Sequence, residues 1–239
     1  MIYSNAPIRE AVLDIRVSGL DNKNFDDFDN LFNLIKEDFP NKRRMNTLQG
    51  SFSIEVDNKN ASDEIISNFQ GVIFSTEKQN RQVQFRRDGF TYNFLAPYTN
   101  WNELKTESQR LWNFYLNEFP ELRIERMALR YINRIAVPIP FDNIEEFVVN
   151  LPPIPKVLPQ VYKSFFSQIE IPCDDNGCTT LINTTIETPS SKEVPIILDI
   201  DVFKLVEENF NFDDFDYIRN VKNSIFESCI TDKTRELFK

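Results

Sequence analysis

The chain has 239 residues, 41% hydrophobic and 27% charged, with a formal net charge of −10. That balance is ordinary for a globular protein, and the acidic excess argues against a general affinity for nucleic acid or anionic membrane, which Lys and Arg drive. Histidine is absent, which excludes Ser-His-Asp and Cys-His catalysis, HExxH zinc sites and ordinary histidine acid–base chemistry.

The N-terminal MIYSNAPIRE lacks the apolar core of a signal peptide. No apolar run reaches the roughly 18 residues needed to span a membrane, so the expected setting is the reducing cytoplasm. Residues Pro7–Val17 read as a strand, with Ala11, Leu13, Ile15 and Val17 on one face and Glu10, Val12, Asp14 and Arg16 on the other. Asn24–Phe39 reads as a helix capped by Asn24, with Asp26 and Asp27 in its first turn and Phe28, Leu31, Phe32, Ile35 and Phe39 as its apolar stripe. Shorter strands are expected at Ser51–Val56, Val72–Thr76, Arg81–Arg87 and Phe90–Leu95, with Asp88-Gly89 as a hairpin turn. Asn100 is placed to cap a helix over Trp101–Glu118.

The stretch Leu122–Val137 is the longest strand expected and the centre of the chain. It puts Met127, Leu129, Tyr131, Ile135 and Val137 on one face, with Asn133 as the polar exception. The other face carries Arg126, Ala128, Arg130, Ile132 and Arg134. Asp142 is expected to cap a short helix over Ile144–Val149. A Pro-rich connection follows, extended and ordered by packing. Strands are then expected at Phe165–Ile171, Thr179–Thr188 and Pro195–Phe203, the first two flanking an Asn176-Gly177 turn. A last helix starts near Asp213, with a break near Thr231. Leu13–Val17 and its following Asn24–Asp29 echo Leu198–Val202 and Asn211–Asp216.

Taken together the elements predict an α+β fold of two packed halves, residues 1–120 and 121–239. Each half is expected to be a curved antiparallel sheet with helices on one face, and the two to form one compact unit. Consecutive strands without intervening helices argue against a doubly wound parallel sheet.

Segments spread along the whole chain carry a resemblance. They are Asn5-Ala6-Pro7-Ile8 with Glu10-Ala11-Val12, Leu95-Ala96-Pro97-Tyr98 with Trp101, and Leu129 to Ile135 (LRYINRI). Near the C-terminus come Leu198 to Phe203 (LDIDVF) and Phe226 to Lys233 (FESCITDK). With these, in this order, the chain resembles a sporadically distributed bacterial and archaeal protein family of unknown function. The resemblance brings no activity with it. Sporadic occurrence implies a mobile accessory gene, such as a phage-defence or toxin–antitoxin component.

Several constellations bear on chemistry. Arg126, Arg130 and Arg134 are expected to interleave with Asp199, Asp201, Glu10 and Asp14 on one sheet face, either as a structural ion-pair lattice or as an anion or nucleotide pocket. Asp199 and Asp201, at i and i+2 on a strand, also have the spacing of a two-metal phosphoryl-transfer site, but without a further carboxylate or a phosphate loop nearby. The Asp clusters at 26–29 and 213–216 lack the Gly and terminal Glu of an EF-hand and read as helix caps. Cys173, Cys178 and Cys229 make no disulfide framework, and without His no zinc site. Lys42-Arg43-Arg44 and Arg81, Arg86 and Arg87, beside Phe85, Phe90 and Tyr92, form the basic and aromatic mixture that touches single-stranded nucleic acid, or a solvated strand face. Trp101, Trp112 and Tyr115 read as core.

The expected function is that of a non-enzymatic intracellular binding protein, an accessory or neutralising partner in a prokaryotic defence locus. It would engage a protein partner, basic by charge complementarity, and use no cofactor, metal or membrane. The alternatives are a small-ligand or nucleic-acid-binding sensor, and a carboxylate or metal-dependent enzyme using Asp199 and Asp201. A concave pocket containing Arg130, Arg134 and Asp201 would favour the ligand reading.

Overall fold

The computed structural model describes residues 3–53, 62–149, 151–173, 177–207 and 209–239. In chain order these form β1 (Ile8–Ser18), α1 (Phe25–Ile35), β2 (Asn41–Ser53), β3 (Ser62–Ser75), β4 (Arg81–Arg86), β5 (Gly89–Leu95) and α2 (Trp101–Glu118). Then come β6 (Arg123–Pro138), β7 (Phe166–Pro172), β8 (Cys178–Ile186), β9 (Glu193–Leu205), α3 (Asp214–Cys229) and α4 (Asp232–Glu236). No helix among them is long and apolar enough to cross a membrane.

All nine strands join one antiparallel sheet in the order β2-β3-β4-β5-β1-β6-β9-β8-β7. The α+β class is as expected, but two separate sheets do not form. The correction has a simple cause. β1 and β6 pair along almost their whole length, from Ile8 opposite Asn133 to Ser18 opposite Arg123. Two separate sheets would have left each of these strands with an unpaired inner edge. Instead each half supplies one block of the same sheet. Its first strand sits at the centre, the chain crosses to the far edge, and a meander returns to end on a helix. The sequence echo does not follow this plan, because it matches β1–α1 with β9–α3, whereas β9 occupies the place equivalent to β5.

The two faces of the sheet differ. Leu13 and Ile15 of β1, Phe90 and Phe94 of β5, Leu129 and Ile135 of β6 and Ile200 and Val202 of β9 are buried on one face. Helices α1, α2 and α3 cover it, and their rings pack with those of the strands. Phe85 stacks on Tyr115 at 5.6 Å, and Phe28 meets Phe119 at 4.9 Å. The other face carries Glu10 and Asp14 of β1, Arg126, Arg130 and Arg134 of β6, and Asp199 and Asp201 of β9.

Local signals set most boundaries. Asn24 caps α1, its side chain accepting from the Asp26 amide at 2.9 Å while the Asp27 carboxylate accepts from the Asn24 amide. The helix ends at Ile35 rather than running to Phe39, which is still buried, 6.5 Å from Tyr92. Asn100 caps α2 by accepting from the Glu103 amide at 2.9 Å. Asn143, not Asp142, caps the next turn, which is a 3-10 helix of only Ile144–Glu146. β2 and β3 start well before the strands expected at Ser51 and Val72. Ile54–Val56 of the first expectation, and residues 174–176 of the second hairpin turn, lie outside the described residues.

Candidate functional site

On the charged face Arg126 and Arg130 pair with carboxylates of the expected set, and Arg134 does not. Arg130 grips Asp199 in a bidentate pair at 2.8 and 2.6 Å, and Asn183 adds a third hydrogen bond to that carboxylate at 3.2 Å. Asp201 stands opposite Arg130 in the ladder, yet it accepts from Arg126 at 3.0 Å. Arg134 pairs with neither aspartate; it meets Glu187 at 3.0 Å and Glu193 at 2.7 Å. Asp14 receives Arg86 at 3.0 Å, Thr91 at 2.6 Å, Arg16 at 3.2 Å and Arg126 at 3.5 Å. Glu10 accepts from Asn93 at 2.5 Å. A shallow hollow of about 510 Å³ lies over this lattice, lined by Arg126, Arg130 and Asp201 but not by Arg134. Its guanidiniums are already neutralised. Burial pushes the Asp201 carboxyl above the usual carboxylate range although Arg126 opposes it, and Asp201 Oδ1 is buried without a hydrogen bond.

Most of the other basic candidates are likewise engaged, while Arg43 is exposed. Arg81 lies over the Phe94 ring at 3.0 Å and pairs with Glu103 at 2.9 Å. Arg86 is buried among Asp14, Asp88 and Thr91, so the Arg81–Arg87 hairpin is not an exposed basic surface. Arg87 donates to the carbonyls of Leu20 and Phe69. Lys42 pairs with Asp29 and sits over Phe25 and Phe32, while Arg44 covers Phe25 and Phe69. Asp213 and Asp216 are bridged by Lys105 at 2.7 Å each. Among the described residues no three His, Cys, Asp or Glu side chains converge as a metal site.

A larger cavity lies at one end of the helix-covered face. It measures about 880 Å³, within the range of small-molecule sites. The N-terminal segment from Tyr3 to Ile8, the turn from Ala96 to Trp101, Tyr131 and Asn133 of β6, and α3 from Arg219 to Glu227 form its walls. Backbone bonds tie these segments together. The Ala96 amide donates to Arg9, the Arg134 amide to Pro7 and the Asn5 amide to Phe238, at 2.9, 2.8 and 3.0 Å. Segments far apart in sequence thus meet here. Asn133, the polar exception of its strand face, is buried and donates to the Leu198 carbonyl at 3.0 Å. Tyr98 and Tyr131 share a hydroxyl–hydroxyl bond of 2.9 Å. Trp101 is buried as expected, yet it lines this cavity and donates to Asp216 at 2.6 Å.

Lys222 is the residue that sets this cavity apart. It is 6% exposed, and its Nζ lies 3.6 Å from the centre of the Tyr131 ring. It makes no ion pair among the described residues. Burial, reinforced by the nearby Arg219 guanidinium, brings its pKa down to about 7. Arg219, one turn earlier, lies 5.5 Å from the Trp101 ring and makes no ion pair among the described residues, though its charge helps hold the Asp216 carboxyl below its usual range. Neither residue was expected at a site. A signal was present in the sequence: Phe215, Ile218, Lys222, Phe226 and Cys229 form the buried stripe of α3, so a lysine stands where the helical period demands an apolar side chain. No protein-family model, curated protein or solved structure matches this chain.

Proposed function

We propose that this protein is a non-enzymatic binding protein for a small organic ligand, held in the cavity between α3, β6, the N-terminal segment and the Ala96–Trp101 turn. One observation carries the reading. A ligand-sized cavity with aromatic walls contains a buried lysine amine that has no counter-charge among the described residues. A polar group desolvated in this way is costly unless something meets it, whereas the arginines of the charged face are paired with carboxylates. The test is native mass spectrometry of the protein incubated with a metabolite extract, compared with Asn223→Trp, which fills the cavity from the half-buried wall of α3. The wild type should retain a small molecule that the variant does not. Equal retention by the two, or none by either, sinks the proposal.

A second reading, engagement of a protein partner, is supported by the edge strand β7. It shows Phe166, Ile169 and Ile171 to solvent at the end of the sheet. Apolar edge strands accept a further strand from another chain. Ile169→Lys should abolish such pairing, measured by cross-linking at β7, and leave the cavity untouched.

A further inference from the structure

We infer that the cavity selects a small organic anion, a carboxylate or phosphate carried on a flat body, with the acid group seated between Lys222, Arg219 and the first turn of α2. This rests on the ligand-binding reading above and adds the chemical class of the ligand.

The charges argue for it. Lys222 and Arg219 project from successive turns of α3 into one space, and neither makes an ion pair among the described residues, although the Arg219 charge acts on Asp216, which Lys105 already holds. Elsewhere the chain compensates its buried cations. Arg86 has Asp14 and Asp88, and Arg126 has Asp14 and Asp201. Among the described residues the one carboxylate on the cavity wall, Glu227, is held by the Tyr3 hydroxyl at 2.8 Å and by Arg235 at 2.9 Å. The remaining titratable groups facing Lys222 are the phenols of Tyr3, Tyr98 and Tyr131. α2, 18 residues long, begins at the wall with Asn100 and Trp101. The positive end of its dipole adds to the same field, while the Glu103 amide is capped by Asn100 and the Glu103 carboxylate of that turn is held by Arg81. A net charge of −10 therefore surrounds a locally positive cavity. The flat body follows from the walls, where Pro97, Tyr98, Trp101 and Tyr131 offer ring faces.

Calorimetric titration with two anions and their neutral counterparts tests this. The probes are 4-hydroxybenzoate against 4-hydroxybenzyl alcohol, and adenosine monophosphate against adenosine. At least one anion should bind the wild type about tenfold or more tighter than its neutral partner. Which pair shows the preference separates carboxylate from phosphate. Lys222→Met should abolish the preference while melting no lower than wild type, since it removes a desolvated charge; a purely structural lysine would instead lower the melting point. Because Lys222 must be charged to meet the anion, binding should take up protons above pH 7 and weaken from pH 7 to 9. Equal binding of anion and neutral partner overturns the anion proposal while leaving the ligand-binding reading intact. No binding by any of the four overturns the proposal as stated, and the retained-ligand experiment then decides the ligand-binding reading separately.

Discussion

At the scale of single residues, Lys222 and the arginines of the open face take opposite positions. The folded-state pKa of Lys222, about 7, lies below the ordinary lysine value of 10.5. Between those values the unfolded chain binds more protons than the folded one, so the ligand-free protein should gain stability as pH rises from 7 to 9. Urea denaturation of wild type and Lys222→Met across that range checks it; the difference between the two should shrink with pH, and a constant difference would refute the assignment. The arginines differ by burial. The Arg86 side chain is 10% exposed and neutralises Asp14, whereas Arg130 is 46% exposed. Arg86→Ala removes a buried guanidinium shared by Asp14 and Asp88; Thr91, Arg16 and Arg126 still reach Asp14, so the loss should be about 3 kcal/mol. Arg130→Ala should cost nearer 1 kcal/mol, because solvent screens that pair and Asn183 still serves Asp199. Equal losses in chemical denaturation would contradict this ordering.

At the scale of elements, close backbone approach decides how β3 joins the sheet. A Cβ on Gly71 would lie 2.3 Å from the Phe85 carbonyl oxygen and 2.7 Å from the Arg86 Cα. Both are backbone atoms of β4 and cannot swing aside. Gly71→Ala should therefore push β3 off β4 and cost about 1–3 kcal/mol. Hydrogen exchange should show lost protection along the Gly71–Ser75 and Gln82–Arg86 ladder; unchanged protection and an unchanged melt would rule the idea out. The helices obey simpler rules. Asn24 and Asn100 start α1 and α2 as their side chains dictate. α3 keeps its apolar stripe even though Lys222 interrupts it, because Tyr131 faces the ammonium with its ring.

At the scale of the whole molecule, the β1–β6 ladder joins the two blocks of the sheet at its middle. Cutting there exposes a long apolar strand edge on each piece. Fragments 1–120 and 121–239, expressed separately, should lack a cooperative thermal transition and dispersed amide resonances. Either fragment folding alone would show that the shared ladder is dispensable. The cavity spans the same junction, with walls from the N-terminal segment and the Ala96–Trp101 turn on one side and β6 and α3 on the other. Ligand binding should therefore protect the whole molecule rather than one half.

The sequence by itself determined the element types, since period-2 alternation, helical stripes and caps are local properties of neighbouring residues. Leu122–Val137 is legible as the central strand, Trp101–Glu118 as a helix, and the arginine row as something carboxylates must answer. The polar stretch from Lys42 to Gly50 hid its strand, because β2 follows pairing with β3 more than its own propensity. Tertiary structure alone decided that the two blocks share one sheet and which carboxylate answers which arginine. Arg130 reaches diagonally to Asp199 while Arg126 takes Asp201, a choice made by side-chain length and ladder register. It also created the cavity, whose walls come from segments as distant as Tyr3 and Glu227. A lysine on an apolar stripe is visible in the sequence, but the absence of a counter-charge is not, because that depends on every chain segment that packs around it.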